Sequence, residues 1–253
     1  MILNRLKEIE IEHDIKIILA VESGSRAWGF ESADSDYDVR FVYMHKKDWY
    51  LHVKPKRDVI EYPIVDDFDF SGWDIKKTLV LISRSNNTFS EWLRSPIVYI
   101  RDNRSVDILR EINNLYFSPV SSIYHYLSMA ERNFDPIQKK DQIRLKKYFY
   151  VLRPILACFW IMKYKEFPPI EFEKLLTLLD IENPVYQKIK DLLEIKKSLL
   201  ESSEISSIGL LDSYISESLY AIRKSVEHMK KPKTSDNETL DKAFIDLVNL
   251  FDN

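Results

Sequence analysis

Two short apolar runs, Ile17 to Val21 and Phe41 to Tyr43, bracket a polar segment that constrains the fold more than any other part of the 253-residue chain. It opens Gly24-Ser25-Arg26-Ala27-Trp28-Gly29 and closes Asp36-Tyr37-Asp38. The chain has only four glycines, and two of them stand here. Glycine is needed where backbone turns tightly or approaches a ligand closely, so this concentration marks a shaped loop between two strands. A Gly-Ser turn presents backbone N–H groups to anionic oxygens. Asp36 and Asp38 alternate with Tyr37 and Val39, which on a strand puts both carboxylates on one face. Side-by-side carboxylates repel unless a cation lies between them, and magnesium shared with substrate phosphates is the usual partner. The segment therefore pairs a phosphate-binding turn with a metal-binding acid pair.

The full string GSRAWGFESADSDYDVRF resembles the DNA polymerase beta-like nucleotidyltransferase superfamily, whose signature is a Gly-Ser turn followed by Asp-x-Asp on the next strand. It is closest in pattern to a bacterial branch with a Gly-Ser-Arg-Ala-x-Gly core. Residues 69–86, 91–99 and 146–154 and the pair Pro168-Pro169 look like later blocks of that branch. The resemblance implies transfer of a nucleoside monophosphate from a nucleoside triphosphate to an acceptor hydroxyl, with loss of pyrophosphate. It implies two Mg2+ ions, with Mn2+ as an alternative, held by Asp36, Asp38 and a third carboxylate. Asp66, Asp67, Asp69 and Asp74 are the candidates for that third acid. The block from Asp69 to Lys77 resembles the family segment that supplies it, which selects Asp69, with Asp74 second; as a helix-starting residue, Asp74 also suits an N-cap. Gly24, Ser25 and Arg26 would hold the triphosphate, with Lys77, Lys147 and Arg153 as further cations toward the nucleotide. Arg40 shares the face of the acid pair and would neutralise it.

On a helix, Lys146, Tyr150 and Arg153 fall on one face. That cation-aromatic face makes an RNA end the leading acceptor, with a protein hydroxyl or a small molecule as alternatives. Trp28 and Phe30 are expected to pack the loop, and Glu22 and Glu31 to be solvated or salt-bridged. A different class of reading is a non-catalytic nucleotide- or partner-binding module of the same fold. A third rests on Arg223 and His228, whose Arg-x4-His spacing resembles a family of helical ribonucleases.

Composition sets the limits. A hydrophobic content of 45% with 13% aromatics suits a chain that buries a core, and a net charge of −3 excludes a broad basic surface. The single cysteine, Cys158, lies in an apolar run and is expected to be a small buried residue in a reducing cytoplasm. No N-terminal signal pattern is visible, and Arg153 and Lys163 interrupt the longest apolar stretch, so a soluble protein without a membrane span is expected.

The periodicities predict an α+β fold, with a mixed nucleotidyltransferase-type sheet flanked by helices over 1–117 and an all-α domain over 118–253. In the first part a helix is expected over 3–12, strands over 16–22, 37–44 and 66–70, and β-rich chain over 57–64. Helices are expected over 74–83 and 88–94. Beyond 117, helices are expected near 119–133, 138–165, 170–179, 184–202, 210–229 and 238–251. Pro154 should kink or break its helix, and Lys230 to Glu238 should form a polar loop.

Overall fold

Seven of the eight residues from Ile15 to Glu22 are buried, the pattern of a strand covered on both faces. The computed structural model, which describes residues 1–229 and 237–251, places this strand inside a five-stranded sheet. In chain order the first elements are α1 (Ile2–His13), β1 (Ile15–Glu22), α2 (Gly24–Trp28), β2 (Tyr37–His45), α3 (Lys47–Tyr50) and β3 (Val59–Glu61). They continue with β4 (Phe68–Asp74), α4 (Ile75–Ser83), α5 (Asn87–Trp92), β5 (Val98–Arg101) and α6 (Asn103–Leu115). Next come α7 (Pro119–Phe134), β6 (Gln142–Arg144), α8 (Leu145–Tyr164) and α9 (Phe172–Leu176). The last are α10 (Pro184–Ser198), β7 (Glu204–Ser206), α11 (Gly209–Glu227) and α12 (Asn237–Phe251).

These elements form two compact units whose division is not sequential. The first contains Met1–Ala27, Asp36–Phe117 and the C-terminal α12; the second contains Trp28–Ser35 and the described residues from Ser118 to Met229. A single cut at 117/118 therefore misplaces two segments. Phe30 and its neighbours pack among helices of the second unit, and α12 packs in the first.

In the first unit the strand order is β3-β4-β2-β1-β5. Only β2 and β4 run parallel; the other neighbours are antiparallel, so the sheet is mixed. Strand alternation sorts the two faces. Val39, Phe41 and Tyr43 pack with Leu6 and Ile9 of α1. Val42 and Met44 pack on the opposite side with Ile75, Leu79, Leu109 and Leu247, from α4, α6 and α12. Each such side chain, fully buried, contributes about 1.5–3 kcal/mol. Gly72 makes the tight approach possible, since a Cβ there would lie 2.1 Å from the ring of Phe41, its register partner. Asp74, Asn86, Asp102 and Ser118 cap α4 to α7, each accepting an N–H of the first turn.

Several elements differ from the expectations. The strand predicted from residue 66 starts at Phe68, because Asp66 and Asp67 form a turn with φ of 49° and 65°. Asp67 therefore does not share a strand face with Asp69. The strand β5 and the helix α6 had not been predicted, although α6 buries Val106, Leu109 and Ile112 at helical spacing. The second unit is helical but carries a two-stranded ribbon, β6 with β7, whose three-residue strands are too short to show alternation. No break occurs at Pro154; α8 runs from Leu145 to Tyr164. Its central turns, Val151 to Cys158, are wholly buried, and that packing offsets the roughly 3 kcal/mol cost of an interior proline. Cys158 is fully buried, which pushes its thiol pKa up, as suits a packing residue. The expected loop over Lys230 to Glu238 lies outside the described residues except for its last two, which open α12. Among the described residues no helix is long and apolar enough to cross a membrane.

Candidate active site

The parallel register of β2 and β4 sets Asp38 directly beside Asp69. Both side chains emerge on the face that also carries Val42, at the N-terminal ends of their strands, beyond the apolar cluster. Arg40, two residues along β2, reaches back to both of them. Its Nη2 donates to Asp38 Oδ1 at 2.8 Å and to Asp69 Oδ2 at 2.6 Å, and its Nη1 donates to the Asp69 carbonyl at 2.8 Å. All three side chains are mostly covered, at 18–28% exposure, so the bonds are only partly screened.

Asp38 is fixed from behind as well. Its N–H donates to Glu22 Oε1 at 2.8 Å, and its carbonyl accepts the Ser23 N–H at 2.9 Å. Glu22 is 1% exposed and also accepts the Tyr99 hydroxyl. Burial raises its pKa, against the two hydrogen bonds that favour the charged form. Glu22 is thus neither solvated nor salt-bridged as expected; it closes β1 where the chain enters the Gly-Ser turn, and it orients Asp38. Only its place next to that turn hinted at this.

The turn itself sits against Asp38. Gly24 has φ of +62°, and a Cβ on it would fall 1.9 Å from Asp38 Oδ2. Ser25 follows, buried, at the start of α2, where first-turn amides have no intrahelical acceptor. Arg26 lies over the Tyr37 ring at 4.0 Å and donates through Nε to the Asp36 carbonyl at 3.2 Å. Gly24, Ser25, Arg26, Asp38, Asp69 and Arg40 are therefore gathered in one place. Asp36 adjoins them through its backbone, but its residue is exposed and precedes β2.

The donor chemistry of Asp38 and Asp69 fits a cation: two carboxylate oxygens converge on a single guanidinium nitrogen, which stands in for one. Among the described residues no group of three His, Cys, Asp or Glu side chains is assembled for a metal. The remaining acid of the expected set, Asp36, is exposed, precedes β2 and is not part of the Arg40-bridged pair.

Asp74 and Lys77 lie apart from this group. Asp74, the second choice for the third acid, is fully buried five residues beyond Asp69; it caps α4 through the Lys76 N–H at 2.7 Å and accepts the Tyr50 hydroxyl at 2.8 Å. Lys77 is near it, in an ion pair with Asp58 at 3.5 Å. Lys147 and Arg153 belong to the second unit. Arg153 is 2% exposed, with its guanidinium 4.4 Å over the Trp28 ring, so it packs inside its own unit. Lys146 pairs with Glu201 at 2.7 Å. Arg223 is engaged by Glu131, and His228 follows as the exposed C-cap of α11.

The loop Trp28–Ser35 is held within the second unit by residues that the sequence did not single out. Phe30 stacks on Phe149 at 5.2 Å. Lys196, 3% exposed, donates to Ser32 Oγ at 2.7 Å, and burial lowers its pKa. Glu201 accepts from Ser35 Oγ at 2.7 Å while its N–H donates to Asp34 at 2.9 Å. No spacing in a sequence announces a partner more than 160 residues away.

The protein YcgL of Bacillus subtilis (strain 168), described as uncharacterized, is 42% identical over 247 residues, covering 98% of this chain and 95% of that one. A nucleotidyltransferase-like protein from Exiguobacterium sibiricum 255-15 is similar over 98% of this chain and 79% of its own, at 12% identity and a TM-score of 0.32. The family model described as the RNA repair pathway DNA polymerase beta family matches residues 1–246, nearly the whole chain. The turn at Gly24, the acids on β2 and β4 and the helices that follow thus fall within one family match, and the chain belongs to the RNA repair pathway DNA polymerase beta family.

Proposed function

We propose that this protein is a divalent-cation-dependent nucleotidyltransferase that moves a nucleoside monophosphate from a nucleoside triphosphate to the hydroxyl of an acceptor, with an RNA end as the favoured acceptor. Family and fold support nucleotidyl transfer as the general role. The observation that supports the specific reading is the Asp38–Asp69 pair, set in register and converging on one positive charge beside the Gly24-Ser25 turn. Asp38 and Asp69, with Asp36 brought in from the strand edge, would hold magnesium, which when bound supplies charge neutralisation to the transferring phosphate. The acceptor hydroxyl bonds to the α-phosphorus, the bond to pyrophosphate breaks, and the hydroxyl proton passes to Asp69 or to solvent. Gly24 leaves the turn free of a side chain against the Asp38 carboxylate, and Glu22 keeps Asp38 in its orientation.

The family description, with its RNA repair pathway, supports RNA over a protein or small-molecule acceptor. The guanidinium between the acids favours one other reading, a module that binds nucleotide with its acid pair permanently neutralised. One experiment separates them. The protein is incubated with each labelled triphosphate, magnesium and total cellular RNA or lysate protein, and both pyrophosphate and labelled acceptor are measured. Turnover that disappears in Asp36→Asn/Asp38→Asn, with the fold intact, supports transfer. Nucleotide binding without pyrophosphate release across all acceptors supports the module.

A further inference from the structure

The segment that follows β2 is unlike the rest of this mildly acidic chain: from Lys46 to Arg57 it interleaves five cations with Trp49, Tyr50 and His52. Together with α4 it encloses a cavity of about 520 Å3. Five basic side chains, Lys54, Lys56, Lys76, Lys77 and Arg84, line it, against two carboxylates, Asp58 and Asp74. Asp58 is engaged by Lys77, and Asp74 is turned inward to its cap and to Tyr50. Lys54, Lys76 and Arg84 are exposed, and none of them has an ion-pair partner among the described residues. Trp49, half-buried, forms part of the wall; it stacks on His45 with ring centres 3.9 Å apart, and Lys56 Nζ lies 5.7 Å from its ring. The cavity opens at the C-terminal ends of β2 and β4, about 17 Å along β4 from Asp69 at the usual strand rise.

Cations in excess beside an aromatic face constitute the chemistry that holds single-stranded nucleic acid, where phosphates meet the charges and a base stacks on a ring. An acidic peptide would use the charges and leave the aromatic wall idle. We propose that this cavity is a second nucleic-acid site, separate from the acid pair, which binds the phosphodiester chain of a single strand and stacks a base on Trp49. The site binds whether or not transfer takes place at Asp38 and Asp69.

The test is fluorescence anisotropy of a short labelled single-stranded oligonucleotide with the full-length protein, without divalent metal, across a salt series. Lys54→Glu/Arg84→Glu should weaken binding at least about tenfold and make the logarithmic salt dependence shallower by about 1.4, since each lost phosphate contact removes roughly 0.7 on a single strand. Lys54→Gln/Arg84→Gln removes the same two charges without reversing them, and it should show the same change of slope if the first variant misfolds. Pyrophosphate release is measured separately, so that oligonucleotide binding that depends on Lys54 and Arg84 in a protein that releases none leaves this site standing while the transfer reading fails. Unchanged affinity and slope in both charge variants would overturn the proposal. So would displacement of the oligonucleotide by polyglutamate at matched charge, or binding of pyrophosphate or a mononucleotide as tight as that of the strand.

Discussion

Two carboxylates held opposite one another on adjacent strands need positive charge between them, and Arg40 provides it from within the fold. Replacing it exposes their repulsion. Arg40→Gln should lose about 1–2 kcal/mol in urea unfolding, the scale of hydrogen bonds to charged groups after partial screening. Magnesium should then restore more stability to the variant than it adds to the wild type, where the guanidinium competes. An equal response in the two proteins would mean that the cation binds elsewhere. Gly24 is a second test at this scale. Gly24→Ala puts a Cβ 1.9 Å from Asp38 Oδ2 at a φ of +62°, so it should cost at least about 1–2 kcal/mol for the left-handed backbone alone and remove transfer activity. A variant with wild-type turnover would show that Asp38 need not lie where it does. Asp38 and Gly24 were legible in the sequence because their chemistry is local, an alternation and a turn, whereas Asp69 stood out among four acids only through the resemblance of its block to a family segment. Glu22 was not, because its burial depends on Tyr99 and Asp38 closing over it from two other strands.

At the scale of elements, the patterns that surfaced were those with strong periodicity and recognisable ends. The strands β1 and β2 and the helix α4 stand within two residues of their expected bounds. The helix α6 carries an apolar stripe but no chemistry that marks it in the sequence, and the β6–β7 ribbon is too short for any period. Pro154 shows tertiary burial overriding a local rule. The start of α4 yields a pH prediction. Asp74 caps the helix from a fully buried position, and burial raises its pKa from 3.8 to about 6, against the bonds from the Lys76 N–H and Tyr50. The folded protein therefore keeps this proton at pH values where the unfolded chain has released it. Stability contributed by that difference is present at low pH and is lost as pH rises from about 4 to about 6, by up to about 3 kcal/mol. Asparagine caps a helix nearly as well and does not titrate. Asp74→Asn should thus flatten the pH dependence of unfolding across that window and be the more stable protein at neutral pH. Parallel curves for the two proteins in urea titrations would show that Asp74 is ionised where it lies.

Across the whole molecule, the order of the chain and the order of its packing part company twice. The eight residues from Trp28 to Ser35 leave the sheet unit in the middle of the motif, and α12 rejoins it from the far end of the sequence. Neither excursion was legible, because both are settled by which apolar face finds a partner, not by any local preference. The consequence is sharpest for α12, which as a sequence is an amphipathic helix with no evident role. In the fold, Ala243 and Leu247 join the cluster formed by Ile75, Leu79, Val106 and Leu109, and Leu247 is fully buried. Without α12 the part of that cluster covered by Ala243 and Leu247 would lie open to water. Leu247→Ala should therefore cost about 2–5 kcal/mol, the range for a buried leucine whose surroundings cannot collapse into the space. The loss should be felt far from residue 247 in sequence. Hydrogen exchange followed by mass spectrometry should show faster exchange in β1, β2 and α6, elements whose own residues are unchanged, and not only in α12. If exchange rises in α12 alone, the helix frays without disturbing the sheet and is an appendage. If it rises in the strands that bear Asp38 and Arg40, the C-terminal helix is part of what keeps the candidate active site in register.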